Sequence, residues 1–145
     1  MGIIQYPDKR LRIKCRNVER ISNSVRKDAG LILSELRLMD NHLLFVNGLA
    51  ANQVGIDKRI IILKMLGNRF VTMVNPEVIS SWLTFFSFDL CASIPRVIRL
   101  KKRKLVIKLR YLGLDNRIHK KTLFGSTAFT AQQELDHLDG RLIID

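Results

Sequence analysis

The sequence predicts a single α+β domain with a mostly antiparallel sheet. Three observations support this prediction: a stretch with helical periodicity near the N-terminus, a series of strand-like apolar stretches through the middle, and a second helical stretch near the C-terminus. The 145 residues fit one domain, residues 1–145, with a sizeable core. Hydrophobic residues make up 47% and charged residues 26%, which excludes a disordered chain.

The first helix is predicted from Asn23 to about Asn41. Either Ser22 or Ser24 can cap its N-terminus. Apolar residues recur along it at a spacing of three to four, which predicts one face packed on the core; they are Val25, Ala29, Ile32, Leu33, Leu36 and Met39. This helix carries no pattern that indicates chemistry.

The middle of the chain is predicted to form strands. Residues 59–65 are a continuous apolar run, which is typical of a buried strand. Residues 70–74 and 78–82 predict two further strands, separated by the turn-like Asn75-Pro76-Glu77. Residues 100–111 alternate basic and apolar side chains, so this strand is expected to have one buried and one wet, basic face. A turn at 113–116 then leads into a returning strand at 118–123.

The second helix is predicted to begin at Ser126 or Thr127 and to end at Gly140. It contains Gln133-Glu134-Leu135-Asp136-His137, a near match to the His-Glu-x-x-His motif of metal hydrolases. In that motif two histidines four apart hold one metal ion, and the glutamate acts as general base on a metal-bound water. Here the second ligand and the base are present, and glutamine takes the first ligand position.

The charge and the cysteine content limit which partners and which cellular location are expected. The net charge is +12, and part of the excess is clustered at Arg96, Arg99, Lys101, Lys102, Arg103, Lys104, Lys108 and Arg110. Such a cluster is compatible with RNA or a ribosome surface, although a charge run alone favours a solvated strand face. Two cysteines make no disulfide framework, and no leader or membrane-spanning run is evident. We therefore expect a cytoplasmic protein with no membrane association.

Three segments together carry a resemblance to a known family. They are Gly48-Leu49-Ala50-Ala51-Asn52-Gln53, Cys91-Ala92-Ser93-Ile94-Pro95 and Gln133-Glu134-Leu135-Asp136-His137-Leu138. In this order and spacing they resemble the three motifs of the peptide deformylase family, over essentially the whole chain. The resemblance implies the peptide deformylase fold, with antiparallel sheets packed around a central metal-motif helix. It also implies the family reaction, the metal-dependent removal of the N-formyl group from the N-terminal methionine of nascent proteins.

The resemblance implies a metal site on the second helix. Cys91 and His137 match metal ligands, and Gln133 stands at the position of the remaining ligand, a histidine in the family. Glu134 matches the general base. The resemblance implies one divalent metal, iron, nickel or zinc, if the site is filled.

The resemblance also implies an oxyanion site and a peptide groove. The side-chain amide of Gln53 and the backbone amide of Ala92 match the donors to the oxyanion that forms on the formyl carbon. Gly48 and Leu90 match positions that contact the backbone of the bound peptide. The removal of one such donor costs acyl hydrolysis about 3 kcal/mol.

This chain departs from the family pattern around the same site. A glutamine amide oxygen is a weaker ligand than imidazole for iron, nickel or zinc. The other histidines, His42 and His119, fall in predicted loops or strand edges. Bulk or charge has changed at several neighbouring positions. Leu90 stands where glycine is common, and Val46-Asn47 stands where Gly-Ile or Gly-Val is common, so a further glycine is missing. Arg96 and Ile98 replace a glutamate and an arginine. We therefore expect deformylation to be weakened or lost.

Alternatives remain at several positions. The chain could instead be a non-catalytic binder of formylated peptide N-termini or of ribosomal RNA, with the basic strand region contacting the ribosome, and we expect a monomer. Cys91 could be a buried small hydrophobe, and Glu134 with His137 could form a helix ion pair with Arg141. Gln132 is interpreted as structural; Cys15 and Trp82 are interpreted as packing residues.

Overall fold

The computed structural model describes residues 2–40 and 46–145, which form one five-stranded sheet with two helices. All four strand pairings are antiparallel, in the order β1-β2-β3-β4-β5. The prediction of an α+β domain with an antiparallel sheet is confirmed. The elements are α1 (Asn23–Asp40), β1 (Gly48–Ala50), β2 (Ile60–Met65), β3 (Arg69–Cys91), β4 (Ile94–Leu112), β5 (Ile118–Phe124) and α2 (Gly125–Leu138), with short 3₁₀ turns at Lys9–Arg12 and Ala51–Val54.

The sheet is covered by a helix on each side, which explains the continuous apolar run in β2. Successive strand residues point to opposite faces. Ile60 and Ile62 therefore pack in the same cluster as the apolar residues of α1, whereas Ile61 and Leu63 pack in the cluster that contains those of α2. All four are fully buried.

The two strands predicted on either side of Asn75-Pro76-Glu77 are one strand, and the predicted turn is wrong. Asn75 has a φ of 51°, and the pairing with β4 shifts register between Val74 and Glu77. The Asn75 side chain accepts a hydrogen bond from the backbone N–H of Val18 at 2.8 Å and donates to its carbonyl at 2.7 Å. Because the amide takes the place of a strand neighbour, the irregularity becomes a bulge and the chain continues.

Strands β3 and β4 extend much further than the sequence pattern predicts. They form a long hairpin, closed where Cys91 pairs with Ile94. Past Val74, β3 has β4 as its only strand neighbour among the described residues. Trp82, interpreted from the sequence as a packing residue, lies in this extension and is 49% exposed. Cys15 is buried in the core, as predicted.

The ends of both helices are fixed by side chains. The hydroxyl of Ser22 accepts from the N–H of Val25, so Ser22 is the residue that caps α1. At the end of α2, the Arg59 guanidinium donates to the Leu138 carbonyl at 3.2 Å and to the Asp139 carboxylate at 2.9 Å. A cation at the C-terminus of a helix stabilises it. This contact holds the last turn of α2, which carries His137. Within the described residues, neither helix is long and apolar enough to cross a membrane.

Candidate active site

The hairpin end of β3 brings Cys91 against the last turn of α2. The Cys91 Sγ lies 3.3 Å from the His137 Nε2, and both side chains are buried. The Asn52 amide donates to the backbone carbonyl of His137 and so joins the first motif to the helix. Two ligands of one tetrahedral metal ion lie about 3.6 Å apart, given metal–sulfur and metal–nitrogen distances of about 2.3 and 2.1 Å. The pair is therefore spaced as two ligands of a single ion would be.

Gln53 is oriented with its amide nitrogen towards this pair. Its Oε1 accepts from the N–H of Ala50 at 3.0 Å, which fixes the direction of the amide. Its Nε2 then lies 3.2 Å from the Ser93 hydroxyl and 3.6 Å from the Cys91 Sγ. Ala92 lies beside them, in the hairpin turn between β3 and β4. A carboxamide donor held beside the thiol matches the arrangement that the sequence predicts for oxyanion binding.

Glu134 lies on the face of α2 that meets β1. A Cβ added to Gly48 would lie 2.8 Å from the Thr130 Cγ2 and 3.1 Å from the Glu134 Cγ. Glycine at this position therefore lets the strand approach the helix closely. Glu134 is 4% exposed, and its Oε2 is buried with no hydrogen-bond partner among the described residues.

Burial makes the three ionisable groups of the site neutral near pH 7. It raises the pKa of the Cys91 thiol to about 12, and the nearby Glu134 raises it further. Burial also raises the pKa of Glu134 to about 8 and lowers the pKa of His137 to about 4. In each case loss of hydration penalises the charged form. Binding a cation here would therefore require the thiol to release its proton.

The Gln133 side chain is directed to the backbone of β3. Its amide nitrogen donates to the carbonyl of Leu90 at 2.6 Å. Among residues 2–40 and 46–145, no three side chains of the Cys, His, Asp or Glu type converge as a metal site. The residues present therefore fit two ligands of a metal and do not fit the three-ligand set that the family motifs imply.

The other candidate ligands and partners lie elsewhere or outside the described residues. His42 is outside the described residues. His119 lies on β5, stacks on Tyr111 with ring centroids 5.4 Å apart and contacts the Asp115 carboxylate at 2.8 Å. Arg141 pairs with Asp136 and Asp139, so it does not form the alternative ion pair with Glu134 and His137.

Two features of the site were missed by sequence reasoning. Ser93 is fully buried and contacts Gln53, although nothing distinguished it within its motif. Arg103 is 10% exposed and bridges Asp89 on β3 and Asp136 on α2, each at 2.6 Å. Arg103 is one of the clustered basic residues. It differs from its exposed neighbours Lys102 and Lys104 because its side chain points to the face of the sheet that α2 covers.

Gln132 carries a structural contact, as predicted. Its amide nitrogen donates to the carbonyl of Lys104 at 2.7 Å, and its oxygen accepts from the N–H of Lys104 at 2.8 Å. This residue of α2 therefore pairs with the backbone of β4 just beyond Val106, where the pairing with the C-terminal end of β5 stops.

A groove of about 340 Å³ lies beside the site, between β3 and α2. Its apolar lining comes from Phe86, Phe88 and Leu90 on the strand and Phe129 on the helix, and Gln133 also lines it. The groove therefore adjoins the residue that stands at the first ligand position of the helix motif.

Comparison with known proteins identifies the family. The profile of the polypeptide deformylase family matches residues 1–145. This chain belongs to the polypeptide deformylase family. It is 36% identical to the peptide deformylase of Dictyoglomus thermophilum over 135 residues, covering 93% of this chain and 84% of that protein. It is 30% identical to the peptide deformylase of Desulforudis audaxviator, covering 99% of this chain and 90% of that protein.

Solved structures of peptide deformylases share the fold. The structure from Thermotoga maritima superimposes with a TM-score of 0.88 at 30% identity, covering 99% of this chain and 94% of that chain. A probable peptide deformylase from synechococcus phage S-SSM7 gives a TM-score of 0.90 at 29% identity, covering 100% of this chain and 98% of that chain. The predicted deformylase fold is thus confirmed, whereas the roles of individual site residues stay predictions.

Proposed function

We propose that deformylation of formylated nascent peptides is weakened or lost in this chain, because its site offers a metal two protein ligands in place of three. The observation that carries the proposal is the hydrogen bond from the Gln133 amide nitrogen to the Leu90 carbonyl. The amide is engaged with the backbone, and its neutral oxygen is a poor substitute for imidazole. Peptide deformylases use a single divalent metal, so a weaker metal site lowers activity directly.

The remaining residues support the amide chemistry of the family. The Gln53 amide nitrogen lies 3.6 Å from the Cys91 Sγ, which supports a role in stabilising negative charge on a formyl oxygen there. Glu134 lies on the same face of α2 as His137, three residues before it. Its carboxyl, whose pKa is raised to about 8, is suited to proton transfer near neutral pH. The bound metal supplies an activated water in this family. If less metal is bound, less activated water is available. Gln53 and Glu134 alone do not provide a strong nucleophile to attack the formyl amide.

A second candidate function is the capture of formylated N-termini without turnover. The intact orientation of Gln53 favours it, since Ala50 and Ser93 hold the amide in place independently of any metal ligand. The apolar groove beside the site could receive the side chain that follows the formyl group.

The test compares the natural protein with Gln133→His on a formyl-methionyl peptide after loading with ferrous iron or nickel. Restoring an imidazole should raise kcat/KM by at least about 100-fold. Gln133→Leu is the matched control, because it breaks the Leu90 contact without adding a ligand and should gain nothing. If the natural protein already equals Gln133→His, the proposal is wrong. If both are inert, the defect lies at Leu90 and the groove.

The capture function is tested by binding of formylated and unformylated forms of the same peptide. We expect the natural protein to prefer the formylated form and Gln53→Leu to lose most of that preference, because the formyl oxygen would lose its donor. Equal affinity for both forms would contradict capture.

A further inference from the structure

The outward side of the β3–β4 hairpin presents a block of apolar side chains. Phe86 pairs with Lys102, Phe88 with Leu100 and Leu90 with Ile98, so these six residues share one face of the two strands. We call them the hairpin face. Phe88 is 74% exposed, Ile98 61% and Leu100 56%. An exposed apolar block of this kind on a folded protein marks an interaction site.

The charges on and next to the hairpin face are all positive. Lys102 belongs to it, and Lys104 follows it on β4 opposite Thr84; both lysines are exposed. The only acidic residue in β3 from Ser80 to Cys91, or in β4, is Asp89, which is buried against Arg103 on the opposite side. An occupant must therefore be anionic and must also accept apolar side chains.

Three kinds of occupant meet part of this requirement. A second copy of the chain would place Lys102 and Lys104 of both copies on one symmetric interface without an acid to offset them. A single-stranded RNA stacks its bases on aromatic rings, but Leu90, Ile98 and Leu100 offer no ring for stacking. An anionic bilayer offers acidic headgroups to the lysines and acyl chains to aliphatic and aromatic side chains alike.

The basic run of the sequence does not form one RNA-sized patch. Arg103 is engaged by Asp89 and Asp136, Lys101 donates to the carbonyl of Asp145, and Arg110 pairs with Glu77. Three of the clustered cations are therefore already paired inside the protein. Of those that remain, Lys102 and Lys104 lie at one end of the apolar block, whereas Arg96 precedes it at the other end on β4.

We propose that the hairpin face docks on the surface of an anionic lipid bilayer, with Phe88, Leu90, Ile98 and Leu100 inserted and Lys102 and Lys104 at the headgroups. The groove beside the site adjoins this surface, since Phe86, Phe88 and Leu90 line it together with Gln133. The docked protein would therefore present its peptide groove beside the membrane. The sequence predicts no membrane association, because it contains no spanning segment, and docking of a sheet face needs none.

The test is co-sedimentation of the full chain with vesicles of phosphatidylcholine alone or with about 30% phosphatidylglycerol. Binding should require phosphatidylglycerol and weaken when salt rises from about 0.1 M to about 0.5 M. Trp82, the single tryptophan, lies on β3 next to the face and is 49% exposed, so its fluorescence should shift to the blue on binding.

Two variants and two matched controls locate the contact. Phe88→Ser with Leu100→Ser should abolish vesicle binding, whereas Ile118→Ser with Phe124→Ser on β5, which removes side chains 64% and 66% exposed, should leave it intact. Lys102→Gln with Lys104→Gln should weaken binding about fivefold for each lysine. Lys27→Gln with Lys120→Gln makes the same charge change elsewhere and should have a much smaller effect.

Several outcomes would overturn the proposal. The first is that the protein does not bind vesicles, and the second is that it binds neutral and anionic vesicles equally. The third is that the Phe88→Ser, Leu100→Ser variant and its Ile118→Ser, Phe124→Ser control lose binding to the same extent. Concentration-dependent dimerisation that buries Trp82 would assign the face to a second copy. If a single-stranded RNA shifts the fluorescence of Trp82 and vesicles do not, the hairpin face would be assigned to nucleic acid.

Discussion

Glu134 and His137 are buried neighbours on α2, and their protonation couples the stability of the metal-free protein to pH. Burial holds the pKa of Glu134 at about 8 in the folded chain, against an ordinary value of 4.5. Between these values the unfolded chain has released the proton and the folded chain has not. The free energy of unfolding therefore falls as the pH rises from about 4.5 to about 8. His137 acts in the opposite direction, because its pKa is lowered to about 4 and stability is lost as the pH falls from 6.5.

Glu134→Gln should remove the fall in the free energy of unfolding between about pH 4.5 and about pH 8. At pH 9 with a chelator present, the variant should be more stable than the natural protein by on the order of 3 kcal/mol, and at pH 5 the difference should largely vanish. Urea denaturation at the two pH values measures this. The acid-side loss due to His137 should be the same in both proteins. A difference that does not change with pH would show that Glu134 is not the titrating group.

Gly48 lies on β1 close against α2. Gly48→Ala would place a Cβ 2.8 Å from the Thr130 Cγ2, so we expect a loss of about 1–3 kcal/mol in the free energy of unfolding. Adding Thr130→Ser removes that methyl group and should restore part of the loss. Gly30→Ala on α1 is the control, because nothing lies within 4 Å of the added Cβ, and it should stabilise the helix. Equal effects at Gly48 and Gly30 would contradict the close packing.

At the scale of elements, Arg103 ties the β3–β4 hairpin to α2. Arg103→Met would leave Asp89, which is 2% exposed, without its cation, and should destabilise the protein by about 3–5 kcal/mol. Arg110→Met is the control, because the Arg110–Glu77 pair is half exposed and should be worth no more than about 1 kcal/mol. Thermal or urea denaturation of both variants compares them. A loss at Arg103 no larger than at Arg110 would show that the bridge does not join the two elements.

The elements differ in how far the sequence could predict them. α1 and β2 were predicted to within about one residue at each described end, because their apolar periodicity is regular and their flanks carry caps or turns. β3 was divided at Asn75 because Asn and Pro are typical of turns. The contact that turns this position into a bulge is with Val18, which is distant in the sequence. Residues 83–90 were not predicted as strand because the usual pattern is inverted there: the buried Ser87 and Asp89 are polar, whereas the exposed Phe86, Phe88 and Leu90 are apolar.

At the scale of the molecule, the antiparallel sheet gathers three distant motifs at one end of α2. The sequence predicted which residues meet there, because the order and spacing of the motifs match those of the family. It could not predict where each amide points: Gln53 turns its nitrogen to Cys91 because Ala50 holds its oxygen, and Gln133 turns its nitrogen to Leu90. Such orientations depend on tertiary contacts with the backbone.

In the proposed site, Cys91 and His137 lack a third side-chain partner for a metal. The most direct test is the metal content of the natural protein and of Gln133→His, purified in parallel and measured by mass spectrometry for iron, nickel and zinc. The natural protein should hold much less than one metal per chain, and Gln133→His should approach one, lost again when Cys91→Ser is added. A natural protein that retains one tightly bound metal per chain through Cys91 would contradict the central claim.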